Sequence, residues 1–380
     1  MADDAVDDTV DDGLVFGMGT EAQVAPDWPP LTLDEVDDVL GGGAEAITWR
    51  SPRPLSTTAK VRMASGETLI VKRLPQTLRT PEALAEEHGF MDHLRERGIP
   101  IPKAWTAGIR GEFTYEIQEL GVGEDRYQGT FSWSPYQSDI DAAQSGTMLG
   151  RLHIAALGYD APARPARPLV GRFTAFSQAD PVAAIERLAA ERPTLGDFLA
   201  ARDWRGDVER VLLPAHEQIR PLLDDLEPLW THNDWNGTNL LWTDSAPSSV
   251  IDFGLADRTT RIHDIAVALE RFAVDWLSIR DGGPARVQVE QTKSFLRSTT
   301  LGEHLTAEEG LALPLLFPLV HAEYELSEID YFLSVVPGGS PENAEIAYRD
   351  YFLGHTEWTT KTEEGQALLG LLRAQPFSKA

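Results

Sequence analysis

Strand-type alternation is confined to one early block of this chain, and nearly everything after it carries helical periodicity. Between residues 46 and 74, "AITWRS" and "TAKVRMASGETLIVKRL" alternate or run in β-branched residues, and Ser65-Gly66 supplies a hairpin turn. Thr80 then caps a helix that Pro81 starts at its first position. That helix ends at Gly98, because Pro100 and Pro102 forbid its continuation. "FTYEIQEL", residues 113–120, is a further strand. From Asp139 onward the chain is mostly helical, interrupted by the loop "APARPARPL" and by a short β insertion around 238–253. This order reads as α+β: a small strand-rich lobe with one helix, followed by a large, mainly helical lobe.

Ahead of the strands, "PPLTLDEVDDVLGGG" predicts a short helix with Thr32 as its cap and Glu35 three residues later. Residues 1–28 read as a mobile acidic tail, 29–120 as the first lobe and 121–380 as the second. The formal charge is −27, but the first 40 residues hold twelve acidic and no basic side chains, leaving −15 for the rest. Repulsion from phosphate backbones argues against a nucleic-acid partner. There is no cysteine, so disulfides, thiolate metal sites and a cysteine nucleophile are excluded. No apolar run approaches a membrane span, and the acidic N-terminus is unlike a signal peptide, so a cytoplasmic enzyme is expected.

Two charged residues in apolar settings stand out. In "TLIVKRL", Thr68, Ile70 and Lys72 share one strand face, opposite Leu69 and Val71. In the next helix, Glu87 falls within the apolar stripe of Leu84, Phe90, Met91 and Leu94. A carboxylate there is costly unless paired, which motivates an ion pair between Lys72 and Glu87. Further on, His232-Asn233-Asp234 is followed five residues after the aspartate by Asn239, and Asp252 stands in "VIDFGLAD". Phosphoryl transfer needs a carboxylate to orient and deprotonate a hydroxyl, with oxygen ligands for Mg²⁺. The stretch between Asn239 and Asp252 fits a hairpin that brings the two together.

The set H-x-D-x-x-x-x-N and D-F-G, with an upstream strand lysine and helix glutamate, resembles the protein-kinase-like fold. "GIPIP" and "LGRLH" at 149–153 make the resemblance one to aminoglycoside phosphotransferases and their small-molecule kinase relatives, over roughly residues 40–335. The resemblance implies a bilobal architecture. Asp234 would be the catalytic base or orienting carboxylate, with His232 supporting its loop and Asn236 either touching the transferring phosphoryl group or closing the Asn-Gly turn. Asn239 and Asp252 would ligate Mg²⁺. Lys72, held by Glu87, would meet the phosphates of ATP, with GTP as the alternative donor. Gln118, Glu119 and Leu120 would meet the adenine, and Asp264 in "IHDIA" would brace the catalytic loop. The phosphate-covering loop would lie at 50–57, including Ser51 and Ser56, and it lacks the glycines common there. Asn233 and Gly237 also depart from the glycine and proline frequent at those places.

The acceptor is read as a small-molecule hydroxyl compound of antibiotic-like or amino-sugar type, with a cationic group as one option. Glu325, Glu328, Tyr324 and Tyr331 on one helical segment, and Trp133 in the aromatic loop "FSWSPY", are the candidate contacts; a solvated acidic face is the alternative for the helix. A metabolite kinase of choline, homoserine or sugar type is the second reading, and a non-catalytic pseudokinase the third. A protein kinase is disfavoured, since only twelve residues separate Asp252 from Asp264 and no A-P-E-like sequence follows. No membrane partner is expected, and the chain is read as a monomer or homodimer.

Overall fold

The early block of alternating residues forms a five-stranded antiparallel sheet in the computed structural model, which describes residues 26–53, 57–244, 246–280, 282–300 and 304–374. Its strands are β1 (Ala44–Arg50), β2 (Thr57–Met63), β3 (Thr68–Pro75), β4 (Ala104–Arg110) and β5 (Phe113–Glu119), in the order β1-β2-β3-β5-β4. Leu69 and Val71 enter a core with Ala59, Val61, Tyr115 and Ile117, while Thr68, Ile70 and Lys72 stay half-buried on the opposite face. The period of two therefore sorts this strand as expected. β4 is absent from the sequence reading: Gly108, at φ 100°, breaks its alternation and shifts its register against β5.

Contacts divide the chain into two units, one formed by Met1–Pro81 and Ala104–Leu120, the other by Glu82–Lys103 and Gly121–Ala380. The helix α2 (Pro81–Glu96), expected in the first lobe, thus groups with the second unit. The reason is its aromatic anchor: Phe90 is fully buried, with Tyr159, Trp230 and Phe253 at 5.3, 5.4 and 6.0 Å between ring centroids.

In the first unit, α1 (Leu33–Leu40) carries the expected capping box between Thr32 and Glu35. Glu35 has a second task. Its carboxylate accepts from Arg73 Nη1 at 2.8 and 3.0 Å and from the Tyr115 hydroxyl, fastening α1 to β3 and β5. Arg73 is buried, and it also donates to the Pro29 carbonyl. The acidic tail lies outside the described residues except at its end, where Trp28 is buried edge-on against Phe113.

The second unit continues with α3 (Asp139–Ala156), α4 (Pro181–Glu191), α5 (Pro193–Ala200), α6 (Trp204–Val211) and α7 (Leu213–Ile219). Two ribbons follow, β6 (Pro228–Thr231) with β9 (Asp257–Thr260), and β7 (Leu240–Thr243) with β8 (Ala246–Val250). The remaining helices are α8 (Arg261–Ala273), α9 (Trp276–Arg280), α10 (Val289–Thr299), α11 (Ala307–Leu316), α12 (Ala322–Asp330), α13 (Pro341–Ile346), α14 (Gly354–Lys361) and α15 (Glu363–Arg373). Two π-helical stretches, Tyr331–Val335 and Ala347–Leu353, interrupt this last part. No helix among the described residues is long and apolar enough to cross a membrane.

The Glu35 knot yields a stability prediction. Glu35→Ala removes a helix cap and leaves a buried guanidinium and a phenol without their acceptor. It should cost roughly 3 kcal/mol, the low end for breaking a buried pair, because Glu35 keeps 23% of its side chain exposed. Urea unfolding measures this, and a loss below about 0.5 kcal/mol would show that the knot carries no weight.

Candidate active site

The loop between β6 and β7 is built around a carboxylate that is not in it. Asp264, fully buried on α8, accepts the backbone N–H of Asn233 at 2.8 Å, that of His232 at 3.3 Å, and His153 Nε2 from α3 at 2.8 Å. Burial alone would raise its pKa, but the hydrogen bond and charge of His153, the charge of His232 and the Asn233 N–H hold it below the ordinary value. Asp264 thereby ties α8 to α3 and to the loop after β6.

Asn233 takes φ 58°, a left-handed conformation that asparagine tolerates better than most residues. Its side chain is fixed on both sides, since Oδ1 accepts from Thr231 and Thr259 Oγ1 at 3.0 Å each and Nδ2 donates to the Leu255 carbonyl at 3.3 Å. An asparagine can thus stand where glycine is frequent. Gly237 has a different reason: a Cβ there would lie 2.9 Å from the Tyr127 ring.

His232 is locked by two hydrogen bonds. Its Nδ1 accepts the Asp234 N–H at 3.2 Å and its Nε2 donates to the Ile251 carbonyl at 3.1 Å, which fixes the tautomer. The ring packs against Trp235 and Phe253, at 5.4 and 4.7 Å. Asp234 then projects with 18% of its side chain exposed. Oδ2 accepts from Asn239 Nδ2 at 2.9 Å, and Oδ1 faces Arg271 Nη2 at 3.1 Å. Asn236 closes the turn: its Oδ1 caps Thr238 N at 2.9 Å and its Nδ2 donates to the Asp234 carbonyl at 3.1 Å.

Asn239 spends its amide hydrogens on Asp234, on the main-chain oxygen and on Oδ2, so its own carbonyl oxygen is the end left to accept. The Ile251 N–H donates to the Asn239 main-chain oxygen at 3.0 Å, which ties the two ends of the hairpin. Asp252 follows at φ 62°, a strained position of the kind that clusters at functional sites. One amide oxygen and one carboxylate are a suitable donor set for a hard divalent cation that keeps waters.

Lys72 and Glu87 fall in different units. Within its own unit Lys72 Nζ lies 3.8 Å from Glu116 Oε2, a buried carboxylate of β5. Within the other, Glu87 Oε1 accepts from Arg164 Nη2 at 2.5 Å. Arg164 comes from the "APARPARPL" loop and also donates to the carbonyls of Gly254 and Ala256 at 3.0 and 2.9 Å. Ser51 donates its N–H to the Thr58 carbonyl at 2.9 Å, and Ser56 lies outside the described residues. Gln118 and Glu119 pair with Ile70 and Leu69 in the sheet, and Leu120 is exposed.

Three of the candidate acceptor residues are interior rather than on a solvated face, and Trp133 and Tyr324 are half-buried. Glu325, Glu328 and Tyr331 are 0%, 4% and 0% exposed. Trp133 and Tyr324 hold the Arg271 guanidinium, at 5.0 and 5.7 Å from their ring centroids. Sequence reasoning missed His153, Arg164 and Arg271. Only His153 had a signal, as the last residue of "LGRLH".

Comparison with known proteins gives a match of residues 55–300 to the family model described as a phosphotransferase enzyme family. Among solved structures, the chain is similar to an amicoumacin kinase solved with AMP-PNP and Ca²⁺ (13% identity, 84% of each chain, TM-score 0.48). It is similar to the macrolide 2'-phosphotransferase MphH from Brachybacterium faecium (14%, 83% of this chain and 97% of that one, 0.48). It is also similar to an aminoglycoside-3'-phosphotransferase of type VIII (22%, 78% and 98%, 0.46).

The brace can be tested by pH. With a folded pKa below the unfolded value of about 3.9, Asp264 contributes fully above that value and loses its contribution as pH falls through the folded one. Asp264→Asn should therefore cost about 3–5 kcal/mol at pH 7, with the gap to the parent closing below about pH 4. A gap independent of pH in denaturant melts would contradict the assignment.

Proposed function

The chain belongs to the phosphotransferase enzyme family, with its α+β protein-kinase-like fold and ATP-dependent small-molecule kinase activity, and from that premise we propose how its own residues divide the work. The observation that carries the reading is the double restraint on Asp234, between Asn239 and Arg271. A carboxylate held at both oxygens yet partly open to solvent is suited to receive an acceptor hydroxyl. As the acceptor oxygen forms its bond to the γ-phosphorus, the bond from that phosphorus to ADP breaks. The hydroxyl proton passes to Asp234. Asn239 and Asp252 would hold Mg²⁺, which when bound would supply charge neutralisation at the phosphates. Lys72 meets the phosphates together with the backbone near Ser51, and the backbone of Gln118 to Leu120 meets the base. Asn236 keeps the loop closed, with both ends of its amide engaged inside the turn.

For the acceptor, we favour a cationic, amino-sugar or antibiotic-like compound, supported by the acidic chain and by Glu328 beside Tyr324, 3.5 Å away. Trp133 and Tyr324 support it indirectly, by positioning Arg271. One observation favours the second reading, a metabolite kinase. A cavity of about 260 Å³ is lined by Arg167, Arg172, Arg187 and Arg192 as well as Glu323 and Asp330. Its wall includes Val170 and Arg172, on either side of Gly171, which packs against Asn233. Such a lining suits a carboxylate-bearing acceptor of the homoserine type.

A screen of cationic and anionic hydroxyl compounds with ATP and with GTP, read by product mass, separates the readings. Asp234→Asn should lower kcat about 10²–10⁴-fold while ATP binding persists, and unchanged turnover would remove Asp234 as the base. Burial raises the Glu328 carboxyl to about 7, so a cationic acceptor should bind more tightly as pH rises through that value. Glu328→Gln should raise KM about tenfold for that acceptor and abolish this pH trend, leaving the KM for ATP alone. Equal KM values in parent and variant would favour the anionic acceptor.

A further inference from the structure

At one end of α8, three side chains that the transfer chemistry does not use converge in the interior. Glu270 of α8, His321 just before α12 and His355 of α14 are 1%, 4% and 7% exposed. One donor atom from each lies within 4.8 Å of the others. Both imidazoles present Nδ1 to the same carboxylate: His355 Nδ1 is 2.8 Å from Glu270 Oε1, and His321 Nδ1 is 3.7 Å from Glu270 Oε2. Glu270 Oε1 and His355 Nδ1 are both buried and face each other, with no further hydrogen-bond partner for either atom. An ion at the common focus of the three side chains would take the place of that single contact.

The outer partners point the same way. Ligating groups are held by hydrogen bonds on their far side. Trp133 Nε1 donates to Glu270 Oε2 at 3.3 Å, and the far nitrogen of His321, Nε2, abuts the Glu325 carboxylate. A void of about 10 Å³, about the space of one water, borders Glu270 and His321 on the side away from His355, with Arg271 also in its wall. The neighbouring Arg271 carries a repelling charge, but its guanidinium is committed to Asp234 at 3.1 Å and to the faces of Trp133 and Tyr324. Two imidazole nitrogens and one carboxylate oxygen, with room for a water, match zinc; magnesium prefers oxygen throughout.

We propose that Glu270, His321 and His355 bind a zinc ion, with water as its fourth ligand, clamping α8, the lead-in to α12 and α14 next to the arginine that holds Asp234. The site is distinct from the Mg²⁺ residues Asn239 and Asp252.

The full chain would be purified without chelator, its metals counted by mass spectrometry, then stripped and titrated with Zn²⁺ and with Co²⁺ as a visible-spectrum probe. About one zinc per chain and the intense absorption of low-coordinate Co²⁺ are expected. His321→Gln and His355→Gln should each lower zinc affinity at least tenfold, whereas Asp252→Asn should leave it unchanged. Trp133→Phe, which keeps all three ligands, should weaken it about 10–100-fold through the lost outer hydrogen bond. If the stripped parent, folded by circular dichroism, takes up neither metal, the proposal fails. It fails equally if the histidine variants bind as the parent does, or if Asp252→Asn abolishes uptake. Should a histidine variant not fold, metal uptake by the parent and the Trp133→Phe and Asp252→Asn comparisons still decide.

Discussion

A buried carboxylate is tolerable only when its surroundings supply enough donors, and Asp264 is the point at which this requirement organises the catalytic loop. Its three partners come from two other segments, α3 and the loop after β6. The loop backbone is thereby held by donors it could not satisfy within itself, and the αL turn at Asn233 becomes affordable. From that turn the chain presents His232 inward and Asp234 outward, so the direction of the reacting group follows from the fixed backbone.

α8 extends the constraint along its length. Asp264 stands in its first turn, and Glu270 and Arg271 near its end. One helix thus fixes the loop by its first turn and fixes the Asp234 carboxylate by its last, through the Arg271 pair. Nearly every residue of α8 is buried, so its rotation or translation would disturb both contacts together. The aromatic shell of Trp133 and Tyr324 around Arg271 keeps that guanidinium desolvated and aimed.

What was legible in the sequence is what local patterning or residue type determines. The period of two in β3, the capping box of α1, the proline-started α2 and the spacing from His232 to Asp252 all have local causes. Glu87 was legible as a buried carboxylate in need of a partner, but Arg164 sits in a Pro/Arg/Ala loop whose composition suggests nothing but a linker. Arg73 and Arg271 fail the same way: a buried arginine is explained by partners that only the tertiary fold brings near. β4 escaped because Gly108 breaks its alternation, and the four-residue β6 and β9 are too short to show one. A solvated face stood as the alternative for the acidic segment after His321 because the compensating charge of Arg271 is brought near it only by the fold.

The central claim is that Asp264 holds the catalytic loop by its backbone. Residue-resolved hydrogen exchange of the full chain, parent against Asp264→Asn under native conditions, tests it most directly. The account predicts that the His232 and Asn233 amides are strongly protected in the parent. In the variant they should exchange much faster, while the α2 and β3 amides keep their rates. Unchanged protection at His232 and Asn233 in the variant would contradict it.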